Sequence, residues 1–168
     1  MNKKQYEKPI IKKQTPGHMN KFGAHYQKSY RDTIDSVAIS TITEKFGSPV
    51  FILSEKTIRE RYREVYQEFS NRYPKVQFAW SYKTNYMDAV CAVYHQEGSV
   101  AEVVSEFEYE KARRLGVPGD KIIYNGPYKP MESMRRAFHE GAIVNLDSFD
   151  EIVKAEAVAK EMGKVVDV

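Results

Sequence analysis

Cysteine is almost absent. Cys91 is the only one in 168 residues, so no internal disulfide can staple this fold. Its neighbours Ala89, Val90, Ala92 and Val93 point to a buried helix face, where a thiol acts as a small hydrophobe. No apolar run reaches about 18 residues, so no membrane span is expected. The lysine-rich N-terminus has no apolar h-region, which argues against a secretory signal, and a reducing cytoplasm is the expected compartment. The phosphate-cradling patterns G-x-x-x-x-G-K-[ST] and G-x-G-x-x-G are missing. His18, His25, His95 and His139 show no zinc spacing, and no Ser-His-Asp order stands out.

What is present is ordinary globular material, 42% hydrophobic and 29% charged, in a chain long enough for one domain with a core. The net charge of +3 is unevenly spread. Residues 1–31 carry eight lysines and arginines against Glu7 alone, a local +7 that leaves −4 for the rest. A basic leader over residues 1–33 can bind nucleic acid or anionic lipid. No RNA- or DNA-reading motif follows it, so a solvated leader is the preferred reading and a nucleic-acid partner is not expected.

From residue 34 a rhythm of strand and helix sets in. "TIDSVAISTITEKFGS" reads as a short helix closed by Gly47, and "PVFIL" (Pro49–Leu53) as a strand. Ser54 can cap a helix through "EKTIRERYREVYQEFSNRY", with Ile58, Tyr62, Val65 and Phe69 on one apolar face. Then come "VQFAWSY" and "MDAVCAVYHQE", "VAEVVS" and "EFEYEKARRL", "KIIYNG" and "MESMRRAFHE", "AIVNLDS" and "FDEIVKAEAVAKEM", each a strand followed by a helix. "KVVDV" reads as the start of another strand. Short apolar strands without alternation, joined by amphipathic helices, specify a parallel sheet with right-handed crossovers. Five βα units fit either a doubly wound sheet or most of an eight-fold barrel. The end at Val168, inside a strand, favours the truncated barrel.

In both architectures polar residues at the strand C-termini line the site. These are Lys83, Glu102, Ser105, Asn125, Asp147 and Ser148. Lys83 ends an apolar run, and a lysine among apolar neighbours yields more free amine, the nucleophile for Schiff-base chemistry with an aldehyde. By position alone a surface or ion-paired lysine is the commoner case.

Several passages, in order, resemble the N-terminal barrel of the alanine-racemase-like (fold type III) pyridoxal phosphate (PLP) enzymes, and most of all the diaminopimelate/ornithine/arginine decarboxylase family. "KFGSPVFILSEKTIRERY" is similar to the family's first strand and helix, and "FAWSYKTN" to its "YAVKAN" lysine motif. "AEVVSEFEYEKARRLGVPGDKIIYNGP" and "NLDSFDEI" resemble its later strand, helix and "D-S-x-x-E" steps. The resemblance covers about four-fifths of this chain and about a third of a typical member. It implies an α/β fold, a partial (β/α)8 TIM barrel over residues 34–168 truncated after about five βα units.

It also implies that Lys83 forms the Schiff base with pyridoxal 5'-phosphate, and that the parent protein is a carboxy-lyase releasing CO2 from a basic or diamino acid. Glu102 stands where many members carry an aspartate beside the cofactor; a sheet-face residue paired with a lysine is the equal alternative. Glu108 matches a family glutamate of the same site, and Ser105-x-x-Glu108 also fits a capping box, the favoured reading, though one residue can serve both purposes. Asn125 and Tyr128 border the cofactor or simply form a polar loop, the latter preferred. Asp147 and Ser148 read as strand end and helix cap, with Ser148-x-x-Glu151 in the capping pattern, and Trp80 and Tyr82 as core. The family's phosphate-binding loop, the acid at the pyridine nitrogen and the β-domain that completes a homodimer's sites belong to later segments. Alone, the chain is therefore expected to be an inactive fragment. A racemase of the same fold type and a non-catalytic PLP-binding module are the alternatives.

Overall fold

The computed structural model describes residues 31–168, so the basic leader, apart from its last three residues, lies outside the described residues together with His18 and His25. The chain divides into two units at Val50/Phe51.

In the first unit, β1 (Thr33–Ile34) pairs antiparallel with β2 (Val37–Ala38). Helix α1 (Ile39–Phe46) follows directly, closed by the Gly47 N–H donating to the Thr43 carbonyl at 2.8 Å. The expected helix over "TIDSV" is thus a hairpin. Its turn residues Asp35 and Ser36 sit at φ 49° and 68°, the left-handed geometry of a two-residue hairpin turn. Such positions favour Asn, Asp and Gly, so Asp-Ser is a weak signal in sequence.

In the second unit, a parallel four-stranded sheet runs in sequential order β3 (Ala79–Ser81), β4 (Val100–Val103), β5 (Ile122–Tyr124), β6 (Ile143–Val144). Helices α3 (Asp88–Gln96), α4 (Glu106–Arg114), α5 (Met131–His139) and α6 (Phe149–Met162) each follow their strand. Helix α2 (Glu55–Ser70) precedes the sheet, and the Ser54 hydroxyl accepts from the Thr57 N–H to cap it. The expected strand Pro49–Leu53 is not formed: Phe51 is fully exposed, and Val50 to Leu53 join no ladder among the described residues. "KVVDV" likewise forms no ladder; one long bond, Val144 N–H to the Asp167 carbonyl at 3.4 Å, brings it to β6. "AIVNLDS" is strand only at Ile143–Val144.

Apart from Val100, buried on the same face as Glu102, β4 to β6 alternate, contrary to the sequence reading. Ala101, Val103, Ile122, Tyr124 and Val144 are buried, with Tyr82 beyond β3, while Glu102, Ile123 and Ile143 are partly or well exposed. The buried set packs on Cys91, Tyr109, Ala112, Met134, Ala137, Phe138, Ala155 and Val158, which come from all four helices. Each aliphatic chain buried this way contributes roughly 1.5–3 kcal/mol. Helices α3 to α6 therefore cover one face. A doubly wound sheet would carry them on both faces and reverse its strand order, so the sequential, singly covered sheet is a segment of barrel wall. Alternation follows because the inner face has no layer over it.

Helix α2 buries only Tyr62 of its expected apolar face; Val65 and Phe69 stay about half exposed. Tyr62 meets Phe78 edge-on at 6.0 Å and Tyr94 at 6.2 Å, and Trp80 stacks on Tyr94 at 3.7 Å. Beyond α3, Glu97 accepts from Arg59 at 2.8 Å and Arg63 at 2.6 Å, which ties α2 to that helix end. The two guanidiniums, Arg63 first, hold the Glu97 carboxyl down at about 2.

Candidate functional site

Strand β3 ends at Ser81 and the chain turns. The Tyr82 N–H still donates to the Glu102 carbonyl at 3.0 Å, and the Thr84 N–H closes back on the Ser81 carbonyl at 3.1 Å. Tyr82 goes to the helix side. His95 Nδ1 donates to the Ser99 carbonyl at 2.8 Å, which leaves Nε2 to accept the Tyr82 hydroxyl at 2.8 Å. On the other flank the Asn85 carbonyl accepts from Trp80 Nε1 at 3.0 Å, and Asn85 Oδ1 from the Met87 N–H at 3.0 Å. Lys83 is thus held by its backbone on both sides while its side chain is exposed. Among the described residues its ammonium makes no hydrogen bond or ion pair. The apolar surroundings expected from "FAWSY" are not there, because Trp80 and Tyr82 turn to the helix side.

Across from Ser81 in register stands Glu102 of β4. Glu102 Oε1 accepts from Asn125 Nδ2 at 2.9 Å, and Asn125 Oδ1 accepts from Asn145 Nδ2 at 3.2 Å. Their backbones continue the ladder: Asn125 N–H to the Val103 carbonyl at 2.7 Å, Asn145 N–H to the Tyr124 carbonyl at 2.9 Å. The tips of β4, β5 and β6 so carry one polar row on the uncovered face, with Lys83 at the adjoining tip. The Ser81 Oγ is buried without a hydrogen-bond partner among the described residues.

Glu108 serves the start of α4. It is buried, its Oε2 accepts from the Val104 N–H at 2.8 Å, and its own N–H donates to the Ser105 hydroxyl at 3.3 Å. This is the capping arrangement, reaching one residue further back than usual. Glu151 repeats it, with Asp147 N–H to Oε2 at 3.0 Å and its own N–H to the Ser148 hydroxyl at 3.3 Å. Asp147 lies past the end of β6 and so does not close the strand. Tyr128 is exposed, with Lys154 Nζ 4.8 Å above its ring.

The arrangement therefore joins Glu102 to Asn125, sets Lys83 at the neighbouring strand tip, and places Glu108 at a helix start. Sequence reasoning missed two residues of this face and one buried lysine outside it. Asn145 had the same signal as Asn125, a polar residue just past a strand. Ser81 lies two residues before Lys83. Lys129 is wholly buried in "GPYKP", where loop-like neighbours disguise it. Chemically, the face offers an exposed primary amine, a carboxylate with one oxygen already bonded, and two oriented amides. An amine in this position can condense with a carbonyl group.

Residues 55–168 match the family described as pyridoxal-dependent decarboxylase, pyridoxal binding domain. The chain is 30% identical over 120 residues to a diaminopimelate decarboxylase of Methanothermobacter thermautotrophicus, covering 71% of this chain and 28% of that protein. A diaminopimelate decarboxylase of Methanocaldococcus jannaschii is 31% identical over 84% of this chain and 33% of its own length. Among solved structures, the diaminopimelate decarboxylase of M. jannaschii in complex with L-lysine superimposes with a TM-score of 0.71 at 29% identity, over 80% of this chain and 32% of that one. The lysine/ornithine decarboxylase of Vibrio vulnificus complexed with putrescine gives 0.63 at 27% identity, over 73% and 33%. The chain spans about a third of the length of the relatives it matches.

Proposed function

The chain belongs to the pyridoxal-dependent decarboxylases through their pyridoxal-binding domain, and from that membership we propose that it carries the cofactor lysine, Lys83, of an enzyme that decarboxylates a basic or diamino acid. The observation that carries the reading is the pairing at adjacent strand tips of an unencumbered Lys83 amine with the Glu102–Asn125–Asn145 row.

The residues present fit the reactive end of pyridoxal 5'-phosphate. An aldehyde asks for an exposed primary amine, and Lys83 is one. Glu102 leaves Oε2 open on the same face while Asn125 occupies Oε1. The unpartnered Ser81 hydroxyl is a donor on the same layer. When bound, the cofactor supplies the electron sink that lets Cα lose CO2.

The chain's own residues then do simpler work. Lys83 would hold the cofactor through its amine and would give up that bond to the amino group of the substrate. Its backbone, fixed between the Tyr82 and Asn85 contacts, keeps the amine at one strand tip. Glu102 sets negative charge on the open face, and the amide row fixes its orientation. The relatives named above act on diaminopimelate, lysine or ornithine, which supports a substrate with a second amino group.

The test is chemical trapping. The protein is incubated with pyridoxal 5'-phosphate, reduced with borohydride, digested and mapped by mass. The phosphopyridoxyl group is expected on the peptide carrying Lys83 and lost in Lys83→Ala. A label on another lysine, unchanged in that variant, would overturn the assignment.

A further inference from the structure

We propose that Asn145 is a positioning residue for Glu102, acting through the Asn125 amide; the inference rests on the reading of Lys83 given above. The row has a direction that chemistry dictates. A carboxylate only accepts, so Asn125 must turn its NH2 to Glu102 Oε1, at 2.9 Å. Its Oδ1 then faces the other way and needs a donor, which Asn145 Nδ2 supplies at 3.2 Å. An asparagine amide can flip end for end at little steric cost, and flipped it would set an oxygen against the Glu102 carboxylate. Asn145 is the group that makes the flipped state lose a hydrogen bond at both ends.

The backbone makes this placement rigid. Register sets Ser81 opposite Glu102 and Glu102 opposite Ile123, with Ile123 opposite Ile143. Asn125 and Asn145 each lie two residues further along and so share that face, and both backbones remain in the ladder. Three consecutive strand tips thus feed one orientation into the carboxylate nearest the β3 tip. Asn145 itself is exposed and outside the core, so its replacement leaves the fold standing.

The full gene product is titrated with pyridoxal 5'-phosphate, reading visible absorbance and the induced circular dichroism of the bound cofactor. Asn145→Ala, which lets Asn125 turn freely, is expected to weaken binding about threefold. Asn145→Asp is isosteric but cannot donate. It competes with Glu102 for the single Asn125 NH2 and leaves Oδ1 facing a carboxylate in either orientation, and is expected to weaken binding about tenfold and alter the dichroism, with melting temperature unchanged. In an Asn125→Ala background both substitutions should have no further effect. Native binding in Asn145→Asp overturns the inference, as do equal losses for Ala and Asp that add to the loss in Asn125→Ala. Lys83→Ala separates the two levels. If it abolishes the absorbance band while Asn145→Asp binds like the native protein, only this inference falls. If it keeps the band, the reading of Lys83 falls and the inference with it.

Discussion

Lys129 and Glu151 form a doubly joined, fully enclosed pair. The ammonium lies 2.9 Å from Oε2 and the Lys129 N–H donates to Oε1 at 2.8 Å, with the two side chains 0% and 2% exposed. Lys129 Nζ also donates to the Gly126 carbonyl at 2.6 Å. The pair fastens the loop after β5, which starts with Asn125, to the turn after β6, which starts with Asn145. Burial pushes the Glu151 carboxyl up, but the Asp147 N–H and Lys129 outweigh it and hold it below its ordinary value.

Lys129→Met should therefore strand a buried carboxylate. The expected loss is about 3–5 kcal/mol in denaturant unfolding at pH 7. Adding Glu151→Leu should recover much of it, because the uncompensated charge is then gone. A single substitution as mild as a surface change would show that the pair is solvated.

Gly126→Ala should be costly for two separate reasons. Its φ is +97°, and a Cβ there would collide with the Val104 carbonyl. A loss of about 2 kcal/mol or more is expected. Cofactor affinity should fall too, because Asn125 is the preceding residue. Unfolding curves and a cofactor titration on the same sample check both.

His95 links stability to pH. Burial holds its imidazole below its ordinary 6.5, although the bond to the Ser99 carbonyl opposes this. The unfolded chain therefore takes up a proton first as pH falls. The stabilisation is complete above 6.5 and declines as pH drops through the folded value. Unfolding midpoints should fall as the pH drops below 6.5, and His95→Gln should flatten that slope. Parallel slopes would place the titration elsewhere.

Glu108 can be tested against its cofactor assignment. Glu108→Gln keeps an oxygen for the Val104 N–H, so stability and cofactor affinity should both stay near native. Ser105→Ala removes the other half of the cap and should cost about 1 kcal/mol. A cofactor affinity that falls in Glu108→Gln at constant stability would return this residue to the site.

The helices were legible because their signals are local. Ser54, Ser105 and Ser148 announce their starts, and each does accept the N–H expected of a cap. The strands at β3 to β6 were legible as apolar runs, but their lengths were not: a run such as "AIVNLDS" stays strand only where a neighbour offers a ladder, here at Ile143–Val144. "PVFIL" has the composition of a strand and no ladder among the described residues. Lys83, Glu102 and Asn125 could be picked out by position at strand ends. The partnership of Asn125 with Asn145 could not, since it depends on a register that spans 20 residues of intervening chain. The burial of Lys129 is equally non-local, for its partner sits a whole βα unit away.

The doubled capping glutamates have a bearing on how such a chain can change length. Glu108 and Glu151 each stitch a strand tip to the helix after it, so an extra residue at either junction would pull the carboxylate off its N–H. At the opposite end, an added side chain at Gly116 or Gly163 would meet nothing within 4 Å, although Gly119, three residues after Gly116, is packed against Glu140. Insertions should therefore be tolerated best at Gly116 and Gly163 themselves, sparing the end that holds Lys83.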